Sequence, residues 1–143
     1  MKVVLGSDMK TELIDAVWSD LQARGHEVEL VGPAGGEDLG WADVGRRVGE
    51  AVASGEADTG VLFCWTGTGA SIAANKVTGV RAALCTDAVT AEGARRYNDA
   101  NVLVMSLRLT SPGVATEMLD TWFLTTEVDP EEVENIARVE STR

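Results

Sequence analysis

The stretch CWTGTGASIAANK, residues 64–76, sets a cysteine at the front of a glycine-spaced loop that runs into a helix-like segment with almost no charge. Val61 to Cys64 ahead of it form a short β-rich run, so the reading is strand, glycine turn, helix. That unit builds parallel α/β sheets. In such sheets ligands bind beyond the C-terminal ends of the strands, and Cys64 sits at such an end. Gly67 and Gly69 permit positive φ and close backbone approach, so the N–H groups of residues 67 to 71 can converge at the start of the helix and attract negative charge. The loop is not a dinucleotide fingerprint, because Ile72 occupies the third glycine place. It is not a P-loop either, because no Gly-Lys-Ser/Thr follows.

A cysteine at the lip of converging amides is a candidate base or nucleophile, and Thr66, two residues on, is placed to bond it or a substrate. Cys64 can equally be a small hydrophobe closing a strand, and the residues alone leave both readings open. Cys85 ends another apolar run with no glycine nest behind it, which reads as packing.

Working outward, β-rich runs alternate with helical patterns. Val3-Val4-Leu5 is a first strand, followed by a helix on Leu13, Ile14, Val17, Trp18 and Leu21 that stops at Arg24-Gly25. Val28 to Val31 is a second strand, then the loop GPAGGEDLG, then a helix marked by Trp41, Val44, Val48 and Val52. After the 64–76 unit come a strand at Val80 to Leu84, a helix at Ala88 to Arg96, a strand at Val102 to Met105 and a helix from about Gly113 to Phe123. Pro130 opens a last helix to about Val139. Its stripe of Val133, Ile136 and Val139 is too thin for a core and suits packing across a neighbouring subunit.

The 143 residues suit one domain, 1–143, able to bury its core without disulfides or metal. No apolar run nears the ~18 residues that cross a bilayer, so no membrane partner is expected. The N-terminus reads as a strand rather than a signal peptide, which predicts a cytoplasmic protein. A net charge of −11 without a basic stripe argues against nucleic acid. Two separated cysteines and the single histidine, His26, make no standard zinc site, so neither metal nor cofactor is expected. Trp18 and Trp122 read as core, Trp41 as core or pocket wall, and His26 as a solvated surface residue. Lys76 reads as closing the loop helix, and Arg81 with Asp87 as bracing the loop.

The segment CWTGTGASIAANKVTGVRA resembles the CGTGxGxxIAANKxxGxRA segment of the ribose-5-phosphate isomerase B and galactose-6-phosphate isomerase family. GSDMK resembles that family's GCDH loop, and RRYNDANVLVMSLR its RxHNDANVLxxGxR block. The resemblance spans nearly the whole chain. It implies a Rossmann-like α/β/α sandwich with a five-stranded parallel sheet, in a homodimer or homotetramer with active sites between subunits. It also implies aldose–ketose interconversion of a sugar phosphate through a cis-enediolate, without metal. On this resemblance Cys64 is the base, Thr66 the hydroxyl beside it, and the amides of Gly67, Thr68, Gly69, Ala70 and Ser71 the cradle for the enediolate oxygens. Asp8 matches a contact to substrate hydroxyls, Asn98 a residue near the reacting oxygens, and Arg108 a phosphate-facing arginine.

Departures from the family pattern reshape the pocket. Met9 stands in place of a histidine, and Tyr97 in place of the ring-opening histidine. Tyrosine, with an ordinary pKa near ~10, is a poor substitute for imidazole at neutral pH. Trp41 stands where the ribose enzymes have tyrosine, and Gly40 where they have aspartate. In the tail, Val128, Asp129 and Glu132 align with the family's RHxxRV segment, whose two arginines bind phosphate from the neighbouring subunit. Two functions follow as expectations. One is an isomerase for a sugar phosphate or related small sugar that needs no ring opening, such as a tetrose or tetrulose phosphate. The other is a non-catalytic partner subunit or small-ligand binding protein on the same fold.

Overall fold

The computed structural model describes residues 1–141. Five strands, β1 (Lys2–Ser7), β2 (Glu27–Val31), β3 (Thr59–Cys64), β4 (Ala82–Leu84) and β5 (Val102–Ser106), form one sheet in the order β2-β1-β3-β5-β4. Every pairing is parallel. Between and after them run α1 (Glu12–Ala23), α2 (Trp41–Ser54), α3 (Thr68–Asn75), α4 (Ala88–Asn98) and α5 (Pro112–Leu124). A 3-10 turn at Pro130–Glu132 then leads into α6 (Val133–Ser141).

Side-chain alternation along the strands builds the two core layers. Val3, Leu5, Val61, Phe63, Leu103 and Met105 point to one face, where they meet Leu13, Ile14, Val17 and Leu21 of α1, Ala91 and Ala94 of α4, and Met118, Leu119 and Trp122 of α5. Val4, Leu62, Cys64, Val102 and Val104 point to the other, under Val44 and Val48 of α2 and Ala70 and Ala74 of α3. The result is the three-layer α/β/α sandwich expected from the sequence. Glycines on α2 let it sit close to α3: a Cβ on Gly45 would lie 2.7 Å from the carbonyl oxygen of Ala70.

The chain starts in the middle of the sheet, moves outward to β2, and crosses back to β3 on the far side of β1. The strand order therefore reverses between β1 and β3. In α/β sheets, ligands bind beyond the C-terminal ends of the strands at such a reversal. Ser7, Asp8 and Met9 leave β1 there, and Cys64 and Trp65 leave β3.

Several boundaries differ from those read in the sequence. β4 begins at Ala82, not Val80: Val80 N–H donates to the carbonyl of Val77 in a turn, and Arg81 N–H donates to Asn101 Oδ1, so neither joins the ladder. α4 runs on to Asn98, ended by Asp99 in the left-handed region at φ 47°. The last helix splits, because Asp129 caps a 3-10 turn before α6 begins. His26 is not a free surface residue. It is half-buried, its ring 4.3 Å from that of Phe123, and its Nδ1 lies 3.3 Å from the N-terminal ammonium. Burial, followed by the charges of the N-terminus and Arg24, holds its pKa below the ordinary value.

Arg81 ties the start of β4 to Asp99 and to Glu140 of α6, the latter at 2.7 Å. It thus braces the C-terminal helix instead of the glycine loop. Val133 and Val139 of that helix remain exposed. Asp87 caps α4 by accepting from Thr90 N–H at 2.7 Å.

Candidate active site

The cradle begins with a local contrast among the helices. Thr11, Asp87 and Ser111 cap α1, α4 and α5 with their side chains, each accepting an amide hydrogen of the first turn. The N-caps of α2 and α3, Gly40 and Gly67, have no side chain to offer, and that of α3 follows Cys64 by three residues. The first-turn N–H groups of a helix lack intrahelical acceptors, so at α3 they are left for a ligand or water. Gly67 adopts φ 80°, where a side chain is strained, and a Cβ there would lie 3.2 Å from the backbone of Met105, so the turn favours glycine.

The cradle is narrower than the sequence suggested. Ser71 N–H donates to the carbonyl of Gly67 at 3.2 Å, as the first bond of the helix, and Thr68 N–H lies 3.5 Å from Thr66 Oγ1. The amides of Gly67, Gly69 and Ala70 make up the rest. Thr66 Oγ1 and Thr68 Oγ1 are 2.7 Å apart, so the Thr66 hydroxyl is paired with Thr68.

Cys64 ends β3 with 5% of its surface exposed, its side chain in the layer shared with Leu62 and Ala70. Trp41, 48% exposed, is not core: its indole lies across Gly69, where a Cβ would come 2.8 Å from Trp41 Cε3. Lys76 caps the C-terminus of α3, as expected.

On the β1 side, Ser7 Oγ donates to the carbonyl of Met9 at 2.8 Å and accepts from Met9 N–H at 3.1 Å, folding a tight turn around Asp8. Asp8 Oδ1 is buried without a hydrogen-bond partner. Burial raises the Asp8 pKa above its usual value, against the lowering by a backbone hydrogen bond. A buried carboxylate oxygen with no donor is costly, and it marks a place where a donor from a bound molecule fits. Met9 is partly exposed beside it.

On the β5 side, Leu107 N–H donates to the carbonyl of Cys64 and Arg108 N–H to that of Trp65. Ser106 Oγ donates to the same Trp65 carbonyl at 2.9 Å. The loop carrying Arg108 is thereby stitched to the residues around Cys64. Sequence reasoning did not single out Ser7, Ser106 or Trp65. The two serines end β1 and β5 and are buried, a polar residue closing an apolar strand being the available signal. Trp65 is 54% exposed directly after Cys64, a large indole where the resembling motif has glycine.

At the C-terminal edge of the sheet the chain gathers the segments that carry Asp8, Met9, Cys64, Thr66, the 67–71 turn and Arg108, with Trp41 against Gly69. It does not bring Tyr97 and Asn98 to them. Both lie at the end of α4, just before β5 begins, beside the N-terminal ends of the strands. Cys64 is at the other end of six-residue β3, about 16 Å away along the strand. A cavity of about 850 Å³ runs along the outer face of α3 and is lined by Thr68, Ser71, Ile72, Asn75, Lys76, Thr78 and Leu84, so it borders the turn without including Cys64. Among the described residues no helix is long and apolar enough to cross a membrane.

Comparison with known proteins agrees with this fold. A family model described as Ribose/Galactose Isomerase matches residues 3–141. The chain is 36% identical over 126 residues to ribose-5-phosphate isomerase B of Escherichia coli, covering 85% of this chain and 82% of that one. It is 37% identical over 135 residues to D-erythrulose-4-phosphate isomerase 2 of Mycolicibacterium smegmatis, covering 92% and 88%. The solved structure of ribose-5-phosphate isomerase B from Clostridium thermocellum superposes with a TM-score of 0.92 at 37% identity, over 99% of this chain and 97% of that one.

Proposed function

The chain belongs to the Ribose/Galactose Isomerase family, and from that premise we propose that it is a cytoplasmic aldose–ketose isomerase acting on a short sugar phosphate, with Cys64 as the base. The observation that carries the reading is the meeting, at the β1/β3 reversal, of Cys64 with the helix start at Gly67 that no side chain caps. In the forward direction Cys64 Sγ takes the proton from C2 of an aldose. The C–H electron pair becomes the C1–C2 double bond, and the carbonyl pair moves onto O1. The amides of Gly67, Gly69 and Ala70 hold that developing charge, a contribution on the order of 3 kcal/mol per well-placed donor. The proton on O2 passes to O1, Cys64 returns its proton to C1, and a ketose results. Asp8, with its unpartnered oxygen, accepts a substrate hydroxyl, and Arg108 holds the anionic group.

The residues present favour a four-carbon substrate. Tyr97 lacks the imidazole that opens sugar rings in the resembling enzymes, so a substrate already open is served best. A four-carbon aldose phosphorylated on O4 cannot close a furanose ring through that oxygen, and its carbonyl stays available. Relatives named D-erythrulose-4-phosphate isomerases accord with this choice. The separation of Tyr97 and Asn98 from Cys64 within one subunit supports a site completed by a second copy of the single 1–143 unit.

The limited exposure of Cys64 favours a second reading, a binding or partner subunit without catalysis. Assay of the purified protein with four- and five-carbon aldose phosphates separates the two. The isomerase reading predicts turnover of the four-carbon substrate, lost in Cys64→Ala. Absence of turnover with either substrate supports the binding reading.

A further inference from the structure

The proposed substrate is an anion and the chain carries a formal net charge of −11, so binding needs local cations. At the edge that presents Tyr97 and Asn98 the arginines are Arg81, Arg95 and Arg96. Arg81 is engaged by Asp99 and Glu140. Arg95 donates to the carbonyls of Ala100 and Thr125 and to Asp99 Oδ1, and it stacks 5.4 Å from the ring of Trp122. Arg96 differs from both. Its side chain is 52% exposed, its ion pair with Glu92 is long at 3.9 Å, and its guanidinium carbon lies 5.8 Å from the centroid of the Tyr97 ring.

The carbonyl of Arg96 accepts from Asp129 N–H at 2.8 Å, so the tail runs directly past it. That tail offers Val128, Asp129 and Glu132 there, whose two carboxylates oppose an anion, so a cation beside them is what phosphate binding needs. A guanidinium resting on an aromatic face keeps its in-plane N–H donors directed outward, the fork that matches two phosphate oxygens. We propose that Arg96, steadied on Tyr97, is a phosphate-binding residue of the composite site, acting from the second copy opposite Arg108. This deepens the reading above and rests on its two-subunit site. Tyr97 is then a platform for a cation. The groove of about 420 Å³ that Arg96 lines without Tyr97 includes Glu92 and Glu127, whose charges repel an anion, so the phosphate is assigned to the Tyr97 side.

The test compares wild type, Arg96→Ala and Arg96→Lys in steady-state kinetics with a four-carbon aldose phosphate, and in calorimetric titration with inorganic phosphate. In Arg96→Ala, KM and the phosphate Kd are expected to rise roughly tenfold with kcat within about threefold, and Arg96→Lys to recover part of the loss. The thermal midpoint, read alongside, should stay near that of wild type. Unchanged KM and phosphate affinity in Arg96→Ala overturn the proposal. A wild-type protein without turnover, whose phosphate affinity nevertheless falls in Arg96→Ala, sinks the isomerase reading and leaves the role of Arg96 standing.

Discussion

The backbone N–H of Arg108 donates to the carbonyl of Trp65 at 2.9 Å, which roots the arginine one residue away from Cys64. Ser106 secures this junction twice, donating to the same carbonyl at 2.9 Å and accepting from Leu109 N–H at 3.2 Å. Because Ser106 is buried, Ser106→Ala takes the acceptor from Leu109 N–H and one of two donors from the Trp65 carbonyl, which keeps Arg108 N–H. The expected loss is about 1–2 kcal/mol of stability, read by urea unfolding. KM should rise several-fold more than kcat falls, since the loop that loosens carries the arginine proposed to hold the anion and not the proposed base.

Gly69 and Trp41 form a coupled pair. Gly69→Ala places a methyl 2.8 Å from the indole and should cost about 1–3 kcal/mol by displacing it. In a Trp41→Ala background the same change should cost much less, giving a coupling of about 1 kcal/mol in a double-mutant cycle. Equal costs in both backgrounds would show that the indole does not lie on the turn.

Asp8 gives a pH dependence. Its pKa is raised in the folded protein by burial, so the folded state holds its proton more tightly than the unfolded chain does. Between the unfolded and folded values the native state therefore binds more protons, and stability falls as pH rises through that window. At neutral pH the ionised carboxylate is a standing cost. Asp8→Asn should raise the thermal midpoint at pH 7 by a small margin that vanishes below about pH 4, while lowering kcat/KM roughly tenfold or more. A midpoint gain that persists undiminished in acid would contradict this.

Cys85 supplies an internal reference. Burial, and then the charge of Asp87, push its thiol up to about 12. In the folded protein at pH 8 it should resist a thiol reagent such as Ellman's, and Cys85→Ala should leave the rate of labelling unchanged. In denaturant both cysteines should react.

The fold was legible because the strands are short apolar runs punctuated by glycine and the helices carry apolar stripes at regular spacing. Where a boundary was missed, a side chain had intervened: Asn101 takes the amide of Arg81 and shortens β4, and Asp129 caps a turn that splits the last helix. The glycine loop announced its own geometry, but the pairing of Thr66 with Thr68 and the use of the Ser71 amide inside α3 depend on side-chain and helix geometry that spacing does not encode. The distance between Cys64 and Tyr97 could have been inferred. A helix returning from the C-terminal edge ends at the N-terminal edge, so residues just before β5 lie opposite those just after β3. His26 was misjudged because its partners, Phe123 and the N-terminus, are remote in sequence.

The central claim is that Cys64 moves a carbon-bound proton. Deuterium uptake from D2O into C1 and C2 of a four-carbon sugar phosphate, followed by proton NMR, reads that step without requiring net conversion. Wild type should incorporate deuterium, and Cys64→Ala, with its fold verified by circular dichroism, should be slower by about 10³-fold. Uptake by Cys64→Ala at the wild-type rate, or none by wild type, would contradict the account.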